Sequence, residues 1–84
     1  MYMGKPFIDI DLHGMRQDEA LKQIELALKK ADYTTYQIRI THGFNRGTSL
    51  MHMIRQEYQY DSRIKRIAPG DNPGITLLIL KELY

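Results

Sequence analysis

Between Phe7 and Leu12 apolar and acidic side chains alternate, with Ile8, Ile10 and Leu12 on one side and Asp9 and Asp11 on the other. Alternate residues point to opposite faces of a strand, so this run can bury only one face. Tyr36 to Thr41 repeats the pattern, setting Tyr36, Ile38 and Ile40 against Gln37, Arg39 and Thr41. Both runs stop at His-Gly, at His13-Gly14 and His42-Gly43, and each leads into a segment with helical spacing. Any fold must therefore hold two half-buried strands that each deliver a histidine and a glycine to a turn before a helix.

The first helical segment carries Ala20, Leu21, Ile24, Ala27, Leu28 and Ala31 along one side, the spacing of an amphipathic helix. Asp18 and Glu19 open it and Lys29 and Lys30 close it, as the helix macrodipole favours. The second segment follows Phe44-Asn45-Arg46-Gly47, with Thr48 or Ser49 as the expected N-cap and Leu50, Met51, Ile54 and Tyr58 facing inward. Ser62 to Ala68 predicts a weaker strand. Pro69-Gly70-Asp71-Asn72-Pro73-Gly74 is a turn signal, and Ile75 to Leu80 is an unbroken apolar strand, suited to the centre of a sheet. The order β-α-β-α-β-β predicts an α/β two-layer sandwich, a mixed four-stranded sheet with two helices on one face. Its other face would show Asp9, Asp11, Gln37 and Arg39. Residues 1–7 are expected to form a short arm and 8–84 a single domain, since 84 residues have room for one core.

Apolar residues at 43% and charged residues at 26% exclude the composition of a disordered chain. The absence of cysteine excludes a disulfide framework and a thiolate zinc site. No run approaches the ~20 apolar residues of a membrane span, and Met1 to Pro6 lacks the apolar core of a signal peptide. A cytoplasmic, monomeric protein with no membrane contact is the expectation. A net charge of +2 permits nucleic-acid binding, and Arg39, Arg46, Arg55, Arg63, Lys65 and Arg66 make the second half the better polyanion surface.

In Asp9-Ile10-Asp11-Leu12-His13 the strand period aims two carboxylates and an imidazole to one side. Asp9 and Asp11 would suit a divalent ion such as Mg2+ or Mn2+, and His13 can move protons near neutral pH; the simpler reading is a polar strand face ending in a turn. In the second His-Gly loop, Gly43, Asn45 and Gly47 can turn backbone N–H groups toward an anion ahead of a helix, with Arg46 adding charge. A tight turn needing glycine for steric reasons is the alternative. Parallel pairing would bring both strand ends to one edge, where α/β ligands bind. Strict alternation, however, puts His42 on the side of Ile38 and Ile40, so a twist or bulge would have to carry it to His13. The segment Arg63-Ile64-Lys65-Arg66 could grip phosphates or simply line a solvated edge; Tyr58 and Tyr60 could stack on bases, although Tyr58 follows the spacing of a packed residue.

At these positions the chain resembles the small MutS-related (Smr) domain family, whose signatures are Leu-Asp-Leu-His-Gly and His-Gly-x-Gly. They stand here as Ile10-Asp11-Leu12-His13-Gly14 and His42-Gly43-Phe44-Asn45, with Gly74-Ile75-Thr76 opening the last strand. The resemblance implies nucleic-acid binding and, in several members, endonuclease activity on DNA or RNA, including messenger RNA at stalled ribosomes. It places Asp11, His13 and His42 as catalytic residues. Nucleic-acid contacts are expected from Gly14, Arg39, Gly43, Asn45, Arg46, Lys65 and Arg66. Asn45 stands where the family usually has a second glycine, and a non-catalytic nucleic-acid or ribosome-binding module is the alternative function.

Overall fold

The computed structural model describes residues 6–44 and 48–82. Its elements are β1 (Phe7–Asp11), α1 (Gln17–Lys30), β2 (Gln37–Thr41), α2 (Thr48–Tyr58), β3 (Arg66–Pro69) and β4 (Ile75–Ile79). They form one four-stranded sheet in the order β1-β2-β4-β3. β1 runs parallel to β2, pairing Phe7 with Gln37 through Asp11 with Thr41, while β4 is antiparallel to both β2 and β3. The apolar strand thus lies in the interior of the sheet, as its unbroken hydrophobic run requires.

The crossovers β1-α1-β2 and β2-α2-β3 both step in the same direction across the sheet. Right-handed crossovers taken in one direction put both helices on one face. Burial agrees, since Leu12, Ile38, Ile40 and Leu78 join Ala20, Ile24, Leu50 and Ile54 in a single core cluster. On the opposite face Asp9 and Asp11 are exposed and Gln37 and Arg39 half-buried. Among the described residues no helix is long and apolar enough to cross a membrane.

Three local expectations are corrected. The basic strand begins at Arg66 instead of Ser62, because Asp61 closes a turn first: its carboxylate accepts the Arg63 N–H at 2.9 Å and its carbonyl the Ile64 N–H at 3.0 Å. In α2 the structure buries Met53 and leaves Met51 half-buried, since 50, 53, 54 and 58 share one helical stripe. That helix also starts at Thr48, so the residue before it, where a cap would sit, lies outside the described residues. In α1 the preceding residue is Arg16, whose guanidinium has no acceptor for a cap. Glu19 compensates by accepting the Arg16 N–H at 3.2 Å, half of a capping box.

The helices and the turn before β3 are tied by one polar cluster. Tyr58 donates to Glu25 Oε2 at 2.7 Å. Arg63 spans both carboxylates, donating to Glu25 at 3.1 Å through each terminal nitrogen and to Asp61 at 2.9 and 2.7 Å. The Arg63 guanidinium, and for Glu25 also the Tyr58 hydroxyl, hold both carboxyls below their ordinary values of 4.5 and 3.8. Tyr58→Phe is expected to cost about 1 kcal/mol, the worth of a charged-acceptor bond discounted for partial exposure, measurable by urea unfolding.

The same cluster sets a pH response. A folded-state pKa below the unfolded one stabilises the fold above the unfolded value, and the benefit is lost as pH falls through it. Stability should therefore be full at neutral pH and fall once the pH drops through roughly 4.5 and below. Urea midpoints at pH 7 and pH 3 check this, and Arg63→Ala should flatten the difference.

Candidate nucleic-acid interface

β1 leaves the sheet with its ladder intact, the Leu12 N–H donating to the Thr41 carbonyl at 2.7 Å. The chain then turns, the Met15 N–H donating to the Leu12 carbonyl at 3.0 Å with Gly14 at φ 76°, the left-handed value required at the third position of a type II turn. His13 occupies the corner, and its side chain is 72% exposed. Asp11, two residues back, places Oδ1 2.6 Å from His13 Nδ1 and also accepts the His13 N–H at 3.1 Å. The histidine ring, and then its backbone N–H, hold the Asp11 carboxyl below the usual carboxylate range. A carboxylate only accepts, so Nδ1 carries the hydrogen and Nε2 is left as the free nitrogen.

His42 continues the parity of Ile38 and Ile40 and is only 2% exposed. No twist or bulge carries its ring to His13. The His42 and Gly43 N–H groups both donate to the Gly74 carbonyl, at 2.9 and 3.1 Å, extending the β2–β4 pairing. Its Nδ1 lies 2.9 Å from the Gly43 carbonyl and its Nε2 2.8 Å from Thr76 Oγ1. Since the carbonyl can only accept, Nδ1–H donates to Gly43 and Nε2 accepts from the threonine hydroxyl. His42, expected as a catalytic residue, thus stands with both ring nitrogens engaged inside the fold and away from the His13 ring.

Gly43, not the His42 ring, is what reaches His13. It takes φ 92°, and a Cβ built there would lie 3.7 Å from His13 Cβ. Behind it, a Cβ at Gly74 would come within 3.2 Å of the Gly43 backbone, so the two glycines let three loops meet. Gly74 and Thr76 are the positions that motif reading left without a role. A threonine at the buried parity of an otherwise apolar strand was the available signal, because a buried hydroxyl needs a partner. Phe44, 62% exposed beside Gly43, is a second addition.

Gly14 shares the edge with His13. Asn45 and Arg46 lie outside the described residues. Arg39 stands on the open face two rungs back and is paired with Asp71 at 3.2 Å. Lys65 and Arg66 are not brought to this edge. β3 runs parallel to β2 across β4, so its first residue shares the rung of Phe7 and Gln37 at the other end of the sheet, about 13 Å back along the strands from the Asp11 rung and three strands across.

Asp9 and Asp11 point to the same open face but form a pair without a cage. Among the described residues no group of three or more His, Asp or Glu side chains could hold a metal ion, and Asp11 Oδ1 is already engaged by His13. The described donors therefore do not fit the expected Mg2+ or Mn2+ site. What the edge offers is an oriented imidazole, two glycine turns and the N-termini of α1 and α2, whose dipoles favour anions.

The Smr domain family model matches residues 10–80. Among solved structures, the chain is similar to the Smr domain of Thermus thermophilus MutS2, with 28% identity and a TM-score of 0.79 over 89% of this chain and 99% of that one. No curated protein matches by sequence.

Proposed function

The chain belongs to the Smr domain family, a family of nucleic-acid-binding, nuclease-like domains, and on that premise we propose that it binds RNA at the His-Gly edge and cleaves it by proton transfer through His13. The observation that carries this reading is the exposed Asp11–His13 pair, joined at 2.6 Å beside the Gly43 turn. Asp11 fixes the tautomer and stabilises the imidazolium, so that Nε2 faces solvent as a base. In RNA the 2′-oxygen attacks the adjacent phosphorus while its proton passes to Nε2. The bond to the 5′-oxygen breaks, and that oxygen leaves as a hydroxyl after taking a proton from the imidazolium. A 2′,3′-cyclic phosphate remains. The N-terminal turns of α1 and α2 follow the two strand ends, and their dipoles favour the developing charge. His42 is a positioning residue: it holds the Gly43 carbonyl from behind and never meets the substrate. No step is routed through a metal.

Fluorescent 12-mers of all-ribose, all-deoxy and single-ribose composition, incubated with and without EDTA, test the route. Cleavage only at ribose positions, insensitive to EDTA and leaving a cyclic phosphate, is the expected result. Cutting of the all-deoxy strand, or its abolition by EDTA, would exclude it. The interior position of His42 favours one second reading, a binding module without cleavage, because the described edge then presents a single imidazole. Binding of the 12-mers with no cleavage at any composition would establish it.

A further inference from the structure

Arg66, which does not reach the His-Gly edge, meets Lys81 and aromatic residues at the other end of the sheet. Phe7, Gln37, Ile79 and Arg66 form a single rung across all four strands. Together with Tyr36 and Lys81 they line a depression of about 230 Å3 at the end of the sheet opposite His13. Phe7 is 56% exposed, and its odd-numbered parity, shared with Asp9 and Asp11, turns it away from the helices. Ile79 gives the floor an apolar surface. The Lys81 ammonium sits 5.1 Å from the centre of the Tyr36 ring and donates to the Tyr33 carbonyl. Arg66 is paired with Glu82 at 3.0 Å, its side chain 58% exposed. A surface ion pair of this kind is worth little and can be exchanged for a phosphate.

Aromatic faces interleaved with cations on an open sheet face are the chemistry that holds an unpaired nucleic-acid strand, because bases stack on the rings and the cations track the backbone. A duplex keeps its base faces stacked on one another and cannot use the rings. We infer that this end of the sheet is a second contact for single-stranded nucleic acid, with Phe7 as the stacking platform and Arg66 and Lys81 as phosphate partners. The inference rests on the nucleic-acid reading above but not on cleavage. It also sets a path. The two ends are about 13 Å apart by strand rise, so one strand can touch both. Asp9 and Asp11 line β1, which directs the backbone over β2 and β4, where Gln37, Thr41 and Leu77 are uncharged.

Fluorescence anisotropy with a labelled 12-mer of oligouridylate and a 12-base-pair duplex decides the matter, using wild type, Phe7→Ala, Phe7→Trp and Arg66→Ala, each checked by thermal melting. Phe7→Ala should weaken single-strand binding about tenfold, within the range for loss of one stacked base, while Phe7→Trp restores it and duplex binding is unchanged. Arg66→Ala should weaken it and lower the steepness of its salt dependence. If wild type binds the 12-mer and Phe7→Ala and Arg66→Ala bind it equally well, this site is refuted and the edge reading stands. If wild type binds neither probe, the nucleic-acid reading falls, and this inference with it.

Discussion

His13→Ala is expected to reduce RNA cleavage about 10²- to 10⁴-fold, the contribution of a positioned acid–base group, while leaving the melting temperature within about 2 °C, as for a surface change free of buried partners. The separation of the two effects follows from its setting. The ring is largely exposed, the Asp11 carboxylate is its polar partner among the described residues, and it lies outside the core cluster. The turn itself is kept by Gly14 and by the Met15 to Leu12 bond, neither of which involves the imidazole. Asp11→Asn should act on the same step, since an amide neither stabilises the imidazolium nor guarantees its tautomer. Rates at a fixed folded concentration, with melting curves for each variant, provide the check.

His42→Ala is expected to do the reverse in kind, destabilising the fold by about 2–4 kcal/mol, which lowers the melting temperature of a domain this size by roughly 10–20 °C. Two causes add. A cavity opens among residues that are almost fully buried, and the Thr76 hydroxyl and Gly43 carbonyl lose partners that water cannot easily replace. Thr76→Val, which removes the hydroxyl while keeping the shape, should cost about 1–2 kcal/mol, because it leaves the buried acceptor His42 Nε2 without a donor. Cleavage by the folded fraction of either variant should drop as well, since Gly43 loses its brace, but the loss of stability is the diagnostic readout. Denaturant midpoints measure it directly.

Much of this was legible in the residues. Alternation through Ile38 and Ile40 assigned His42 to the helix side of its strand, and the structure keeps that parity, because the ladder continues through the bonds to Gly74. The same alternation put Asp11 on the open face, with His13 following it. The Thr76 and Gly74 contacts were not legible, because they join positions more than thirty apart in sequence and depend on β4 pairing beside β2. The fate of the basic segment was hidden for a related reason. Arg63, Lys65 and Arg66 look alike in sequence, yet a turn set by Asp61 commits Arg63 to Glu25, and strand direction sends Arg66 to the far rung. Charge counts cannot reveal which end of a strand a residue occupies.

The two histidines divide the labour, His13 toward the substrate and His42 toward the interior. A long-range 1H–15N spectrum of the imidazole rings, recorded as an uncleavable all-deoxy 12-mer is added, tests this division most directly. The His13 ring signals should move with oligonucleotide concentration, while His42 stays in its Nδ1–H form with its signals unmoved. Movement of the His42 ring with an unresponsive His13 would contradict it.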